Sequence, residues 1–178
     1  MPAIVPPAGP ALRPLEEADV APYLQAFRDD PAIGVQLGLE EDPDEERLRG
    51  RIARLPSLMA EGQFAELAIG ERFCGSLTLH SIDWKNRRAE LGFFVVPSER
   101  GRGVAAAAVQ AALDWAFRDL DLERVELTTT PDNGAVAALA ARVGFTREGV
   151  LRARNLERGR RVDVVWFGLL RDEWATRT

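Results

Sequence analysis

Two glycines and two arginines alternate in Arg100-Gly101-Arg102-Gly103, followed by Val104-Ala105 at the start of a long segment with an apolar stripe. At the head of a helix such a loop exposes several unpaired backbone N–H groups at the positive end of the dipole, an arrangement that binds phosphate. Glycine lets a pyrophosphate approach the main chain where a Cβ would obstruct it, and Arg100 and Arg102 add charge-assisted donors. The same letters satisfy a dinucleotide fingerprint, because Gly101, Gly103 and Ala106 are spaced G-x-G-x-x-A. A dinucleotide loop, however, follows its strand directly and opens a βαβ series. Here Pro97 to Arg100 stand between the strand and Gly101, and about half of the chain has already passed. A glycine turn that merely enters a helix is the plainest alternative.

The elements that must position this loop follow from periodicity. A proline-rich lead over residues 1–11 precedes a short strand at Leu12 to Leu15. Glu16 to Asp29 carries Val20, Tyr23, Leu24 and Phe27 on one helical stripe, with the regular part starting near Pro22 and ending at Pro31. The acids of Glu40 to Glu46 surround a second helix start, where the macrodipole favours them. That helix is expected to run through Arg54, with Pro56 interrupting it. Phe64 to Ile69, Phe73 to Ile82 and Ala89 to Val96 read as an antiparallel meander. Gly103 to Leu120 has Val109, Leu113, Ala116, Phe117 and Leu120 at helical spacing. Arg124 to Thr130 is a strand, and Asn133 to Val143 a helix closed by Gly144. Strands at Val150 to Asn155 and Val162 to Leu169 close the chain as a hairpin around Arg158-Gly159-Arg160. No repeat or linker divides this order, so one domain over residues 1–178, of α+β class, is expected.

Composition narrows the chemistry. Cys74 is the only cysteine and His80 the only histidine, which argues against disulfides, zinc and iron–sulfur centres, and no metal is expected. A net charge of −5 speaks against a nucleic-acid face, and an acidic surface suits a cationic acceptor. The arginines at 152, 154, 158, 160 and 161 are then an exposed hairpin surface, with a nucleic-acid or ribosome contact the minor reading. No run approaches the roughly 20 apolar residues of a membrane span, and the first residues lack the pattern of a signal peptide, so a soluble, cytoplasmic chain is expected.

Together these features resemble the GNAT superfamily of N-acetyltransferases, whose cofactor motif Gln/Arg-x-x-Gly-x-Gly/Ala is met by Arg100, Gly103 and Ala105. Closer still is the branch that includes the ribosomal-protein N-terminal acetyltransferases. Asn86 to Phe93, Asn133, Gly144 to Gly149, Asp163 and Glu173-Trp174 look like its hairpin, fourth strand and later landmarks. The resemblance implies a mixed, mostly antiparallel sheet of about six to seven strands with flanking helices, whose fourth and fifth strands splay apart to admit the pantetheine arm of acetyl-coenzyme A. It implies backbone contacts to that arm from Phe94, Val95 and Val96. It further implies a pyrophosphate held over Arg100, Gly101, Arg102, Gly103, Val104 and Ala105, and a bond from Asn133 on the other side. An N-cap role for Asn133 is the structural alternative.

By the same resemblance a primary amine, of a protein N-terminus, a peptide or a small molecule, attacks the thioester directly. A backbone N–H near Val95 or Val96 is the implied oxyanion donor. The amine must be a free base; an α-amino group titrates near about 8 and a lysine near about 10.4, so an N-terminal acceptor asks less of a general base. Glu90 and His80, on strands flanking the expected cleft, are the base candidates, with a strand-end ion pair and an ordinary strand histidine as the alternatives. Many superfamily members use a tyrosine to protonate the leaving thiolate, and the related branch often has a serine three residues after the asparagine. Here Tyr23, in the first helix, is the only tyrosine, and Val136 stands at the serine position. A non-catalytic coenzyme A-binding or regulatory module is the competing function, and a homodimer is left open.

Overall fold

In the computed structural model, which describes residues 1–7 and 11–177, seven strands form one sheet in the order β1-β2-β3-β4-β5-β7-β6. They are β1 Leu12–Pro14, β2 Ala65–Ile69, β3 Gly75–Asp83, β4 Arg88–Val95, β5 Arg124–Thr129, β6 Thr146–Glu157 and β7 Arg160–Leu170. Helices α1 Val20–Asp29, α2 Ala32–Gln36 and α3 Glu45–Ala60 lie between β1 and β2. Helix α4 Val104–Asp114 joins β4 to β5, α5 Gly134–Val143 joins β5 to β6, and α6 Arg171–Ala175 follows β7. The α+β class and the mixed sheet expected from the sequence are both present. Every pairing is antiparallel except β4 with β5.

That parallel pair is brief. Its ladder runs from Arg88↔Arg124 to Leu91↔Leu127 and stops, while β4 goes on with β3 to Val95 and β5 goes on with β7 to Thr129. The two strands therefore part after Leu91 and Leu127, which is the splay the family resemblance implied.

Strand alternation sorts side chains between two layers. Leu67, Leu77, Leu79, Leu91, Val125, Leu127, Phe167 and Leu169 face one way and pack with Val109, Ala112, Leu113 and Trp115 of the crossover segment. On the opposite face Ala68 and Phe94 meet Tyr23 and Phe27 of α1, with Leu48 and Leu55 of α3. Tyr23 stacks on Phe27 with ring centroids 5.5 Å apart and meets Phe94 edge-on at 5.1 Å. Between these aliphatic and aromatic clusters, the second face also carries Glu66, Ser76, Thr78, His80, Glu90 and Thr128.

Several expected boundaries move. Helix α3 runs unbroken past Pro56 to Ala60, correcting the expected interruption. Leu48, Leu55 and Met59 are buried along it, and this packing outweighs one lost backbone bond. Helix α2, whose Gly34 and Val35 are poor helix formers, was not anticipated; Asp30 caps it by accepting from Ala32 N at 3.0 Å. After Asp114 the crossover helix widens into a π-helical turn at Trp115–Asp119. The final strands are longer than expected, because β6 is an exposed edge without clean alternation, with register shifts and a positive φ at Ala153. The lead was expected to be extended; residues 8–10 lie outside the described part, and Ile4 is buried with its N–H on Met59 O at 2.7 Å.

Candidate active site

Where β4 and β5 part, two cavities meet. One, of about 450 Å³, is lined by Arg100, Gly101 and Gly103 to Ala106, by Val95, and by α5 residues such as Leu139 and Arg142. The other, of about 480 Å³, lies on the polar face of the sheet beneath α2, α3 and the β6–β7 hairpin. Gln36, Leu37, Phe93, Phe94, Asn133 and Val136 line both.

The loop before α4 has the form its glycines require. Gly101 and Gly103 sit at φ +74° and +83°, left-handed values that L side chains rarely adopt, and nothing lies within 4 Å of where either Cβ would be. Ala107 N closes the first helical bond onto Gly103 O at 3.0 Å. The N–H groups of Val104, Ala105 and Ala106, at the head of the helix, are thus left without intrahelical partners, at the positive end of the dipole. The arginines are anchored rather than loose. Arg100 pairs with Asp30 at 2.6 Å and donates from Nε to Val95 O at 3.1 Å, while Arg102 pairs with Glu99 at 3.0 Å. The bond from Arg100 holds the Asp30 carboxyl below the usual carboxylate range.

Backbone alternation determines which main-chain groups face the gap. Val96 N donates to Cys74 O at 2.9 Å and Val96 O accepts from Glu99 N at 3.0 Å, so both its groups are occupied. Phe94 is opposite Ser76 in the same hydrogen-bonded phase, which turns its backbone toward β3. Phe93 and Val95 are in the other phase, so the Phe93 N–H and C=O and the Val95 N–H point into the splay, while Val95 O is taken by Arg100 Nε. Of Phe94, Val95 and Val96, the structure thus brings the backbone of Val95 and the ring of Phe94 to the gap, and adds the backbone of Phe93.

Glu90 and His80 are cross-strand neighbours on β4 and β3, side by side on the floor of the larger cavity. Glu90 Oε1 accepts from Thr128 Oγ1 at 2.5 Å, which turns the carboxylate to the place where β5 leaves β4. His80 Nδ1 lies 3.1 Å from Ser81 Oγ. Its Nε2 would be 3.4 Å from a Cβ at Gly92, so the absence of a side chain there makes room for the imidazole beside the splay. Asn133 caps α5 by accepting from Val136 N at 3.2 Å, and it also lines both cavities.

A second polar group on the same floor escaped sequence reasoning. Glu66 is 1% exposed and accepts from Tyr23 OH at 3.1 Å and Ser76 Oγ at 2.9 Å, with Arg51 Nε 3.2 Å away. Arg51 also donates to Tyr23 OH at 2.8 Å and stacks over its ring, 5.3 Å from the centroid. Burial, with the Glu66 charge, pushes the Tyr23 hydroxyl well above its usual range, so this hydroxyl is fixed in a network and keeps its proton. The visible signal was Glu66 itself, a lone carboxylate inside the apolar run Ala65 to Ile69. Among the described residues no group of three or more His, Cys, Asp or Glu could hold a metal, and no helix is long and apolar enough to cross a membrane.

A sheet parted at its one parallel pair, with a phosphate-type loop in one cavity and titratable side chains on the floor of the next, is the layout of a two-substrate transferase. The family model described as acetyltransferase (GNAT) domain matches residues 11–146, and the chain belongs to that family of N-acetyltransferases. An uncharacterized N-acetyltransferase p20 from Bacillus licheniformis is 32% identical over 165 residues, covering 90% of this chain and 91% of its own. A putative ribosomal N-acetyltransferase, YdaF of Bacillus subtilis, is 35% identical over 57% of this chain and 55% of its own. A spermidine N(1)-acetyltransferase of Vibrio cholerae is 28% identical over 67% and 69%. The structure of Mycobacterium smegmatis RimJ in complex with CoA-disulfide superposes with a TM-score of 0.83 at 26% identity, over 96% of this chain and 88% of that one.

Proposed function

We propose that the chain transfers an acetyl group from acetyl-coenzyme A to a primary amine, that of a protein or peptide N-terminus, by direct attack. The observation that carries this reading is the meeting of the two cavities at the splay: Val95 lines one, Glu90 and His80 form the floor of the other, and Phe93, Phe94 and Asn133 line both. The residues present fit the cofactor: the glycine loop leaves room and open N–H groups for a diphosphate, and the backbone of Phe93 with the Val95 N–H offers strand-like pairing to an amide-bearing arm. The bound cofactor supplies an activated acetyl carbon on a thioester.

This chain's residues supply the rest. Arg100 to Ala105 hold the diphosphate, Asn133 closes on the arm from α5, and the Val95 N–H stabilises charge on the carbonyl oxygen as the amine adds. As the C–N bond forms, the C–S bond breaks and coenzyme A leaves as the thiolate with that bond's electron pair, while the amine proton passes to Glu90, with His80 beside it to relay the proton through water. Positioning of the two reactants contributes several kcal/mol, of the order seen for well-oriented intramolecular reactions. An α-amino acceptor, titrating near about 8, suits a carboxylate base that need only collect the proton as attack proceeds.

A second reading, a coenzyme A-binding module without turnover, is favoured by one observation: Tyr23, the only tyrosine, is locked onto Glu66 and Arg51 and is no proton donor for a thiolate. Thiol release with a panel of peptides and polyamines decides between the two. We expect coenzyme A release with peptide amines; tight cofactor binding with no release from any acceptor would establish the module instead.

A further inference from the structure

We propose that the amine acceptor carries a carboxylate close to its reacting nitrogen, and that Arg154, with Arg51, reads it. The inference rests on the proposed acetyl transfer and specifies its acceptor. The larger cavity is charged asymmetrically. Its floor ends in Glu90 and His80 beside the splay, where the Glu90 carboxylate draws in the amine end of an acceptor. On either side of the splay a guanidinium group lines the wall, Arg51 anchored to Glu66 on β2 and Arg154 on β6.

Arg154 stands on the exposed β6 edge and lines this cavity, and it takes part in no ion pair among the described residues. The hairpin around it, residues 146–161, holds six arginines against two glutamates in a chain of net charge −5. Of these, Glu148 is spent on Arg124, and Arg158 is tied to Asp42 at 2.9 Å across the rim. Glu157 also lines the cavity, on the side of Gly38. Arg51 enters from α3. Its Nε and one Nη are held by Glu66 and Tyr23, and the other Nη makes no hydrogen bond among the described residues. A fork already fixed in orientation loses little freedom on meeting a carboxylate. Of the acids that line the cavity, Glu66 is buried, accepts from Tyr23 and Ser76 and is ion-paired with Arg51, Glu90 is bonded to Thr128 beside the splay, and Glu157 lies on the side of Gly38.

A polycation entering this cavity meets an unpaired arginine on the wall, whereas a zwitterionic acceptor satisfies both ends. The class implied is a peptide whose N-terminal amine is followed within one or two residues by Asp or Glu.

The experiment compares amidated peptides with acidic, neutral or basic second and third residues, and spermidine, by thiol release and by calorimetric titration into the coenzyme A-loaded protein. The acidic peptide should bind best, with an affinity that weakens as salt rises. Arg154→Gln, on an exposed edge, should raise its KM and Kd by about tenfold, as expected for one charge-assisted bond, and leave the neutral peptide and the cofactor Kd unchanged. Arg51→Gln alone strands the Glu66 carboxylate, so the double variant Arg51→Gln/Glu66→Gln is used, and the same selective loss is expected. Equal binding of acidic and neutral peptides, insensitivity to Arg154→Gln, or preference for spermidine overturns the proposal while leaving acetyl transfer standing. Displacement of the acidic peptide by a DNA duplex at lower concentration would assign the arginines to phosphate backbones and overturn it as well. If thiol release fails with every acceptor, acetyl transfer falls, and the titration still decides whether the cavity selects acidic peptides.

Discussion

Glu90 owes its position to one hydroxyl. Thr128 donates to it at the point where the two strands separate, so the carboxylate is held on the cavity floor beside the splay rather than in an ion pair with a neighbouring arginine. Glu90→Gln keeps the shape and removes the proposed proton acceptor. We expect kcat to fall by roughly 10²-fold; an unchanged kcat would remove Glu90 from proton transfer. Gly103→Val acts on the other substrate. At φ +83° a β-branched residue costs about 1–2 kcal/mol of stability, and its methyls fill the open space over the loop. Cofactor affinity in calorimetry should drop at least roughly tenfold while circular dichroism keeps the native spectrum, since no neighbour is displaced. Both residues were legible in the sequence, one by its loop motif and one by its strand. The Glu66, Arg51 and Tyr23 network was not, because its members come from three separate elements and only folding brings them together.

At the scale of elements, the link between β1 and α1 depends on a buried acid. Asp19 takes both guanidinium nitrogens of Arg13 at 2.8 Å and the Glu16 N–H at 2.8 Å. Burial alone would raise its pKa, but these three donors outweigh it and hold the carboxyl below the usual range. A carboxyl depressed in the folded state stabilises fully above its unfolded value, near about 4, and that contribution fades as pH falls through the lower folded value. Asp19→Asn should therefore cost roughly 2–3 kcal/mol at neutral pH and give a shallower loss of stability below about pH 4 in urea titrations. Parallel slopes for the two proteins in acid would contradict this. Element order was readable because the strands and crossover helix have strong periods. Helix α2 and the continuity of α3 through Pro56 were not, since both depend on tertiary burial and on a cap that overrides local preference.

Across the whole molecule the sheet acts as a partition, with aliphatic packing on one side and both cavities opening around its other face and its split. Leu77, fully buried, faces the aliphatic side. Leu77→Ala should cost about 2–5 kcal/mol in denaturant titrations while KM for cofactor and acceptor stays within about twofold. A change in both would show that the layers are coupled. This division was partly visible as alternation in β2, β3 and β4, but the shared walls of the cavities depend on α2 and the long hairpin, whose signals were weak.

The family match begins at residue 11, yet Ile4 is buried and Val5 O accepts the Trp115 indole N–H at 2.7 Å. The first few residues thus serve as a plug over the π-helical turn. Trimming the gene to the recognisable family boundary would wet that indole, and its fluorescence would shift to the red.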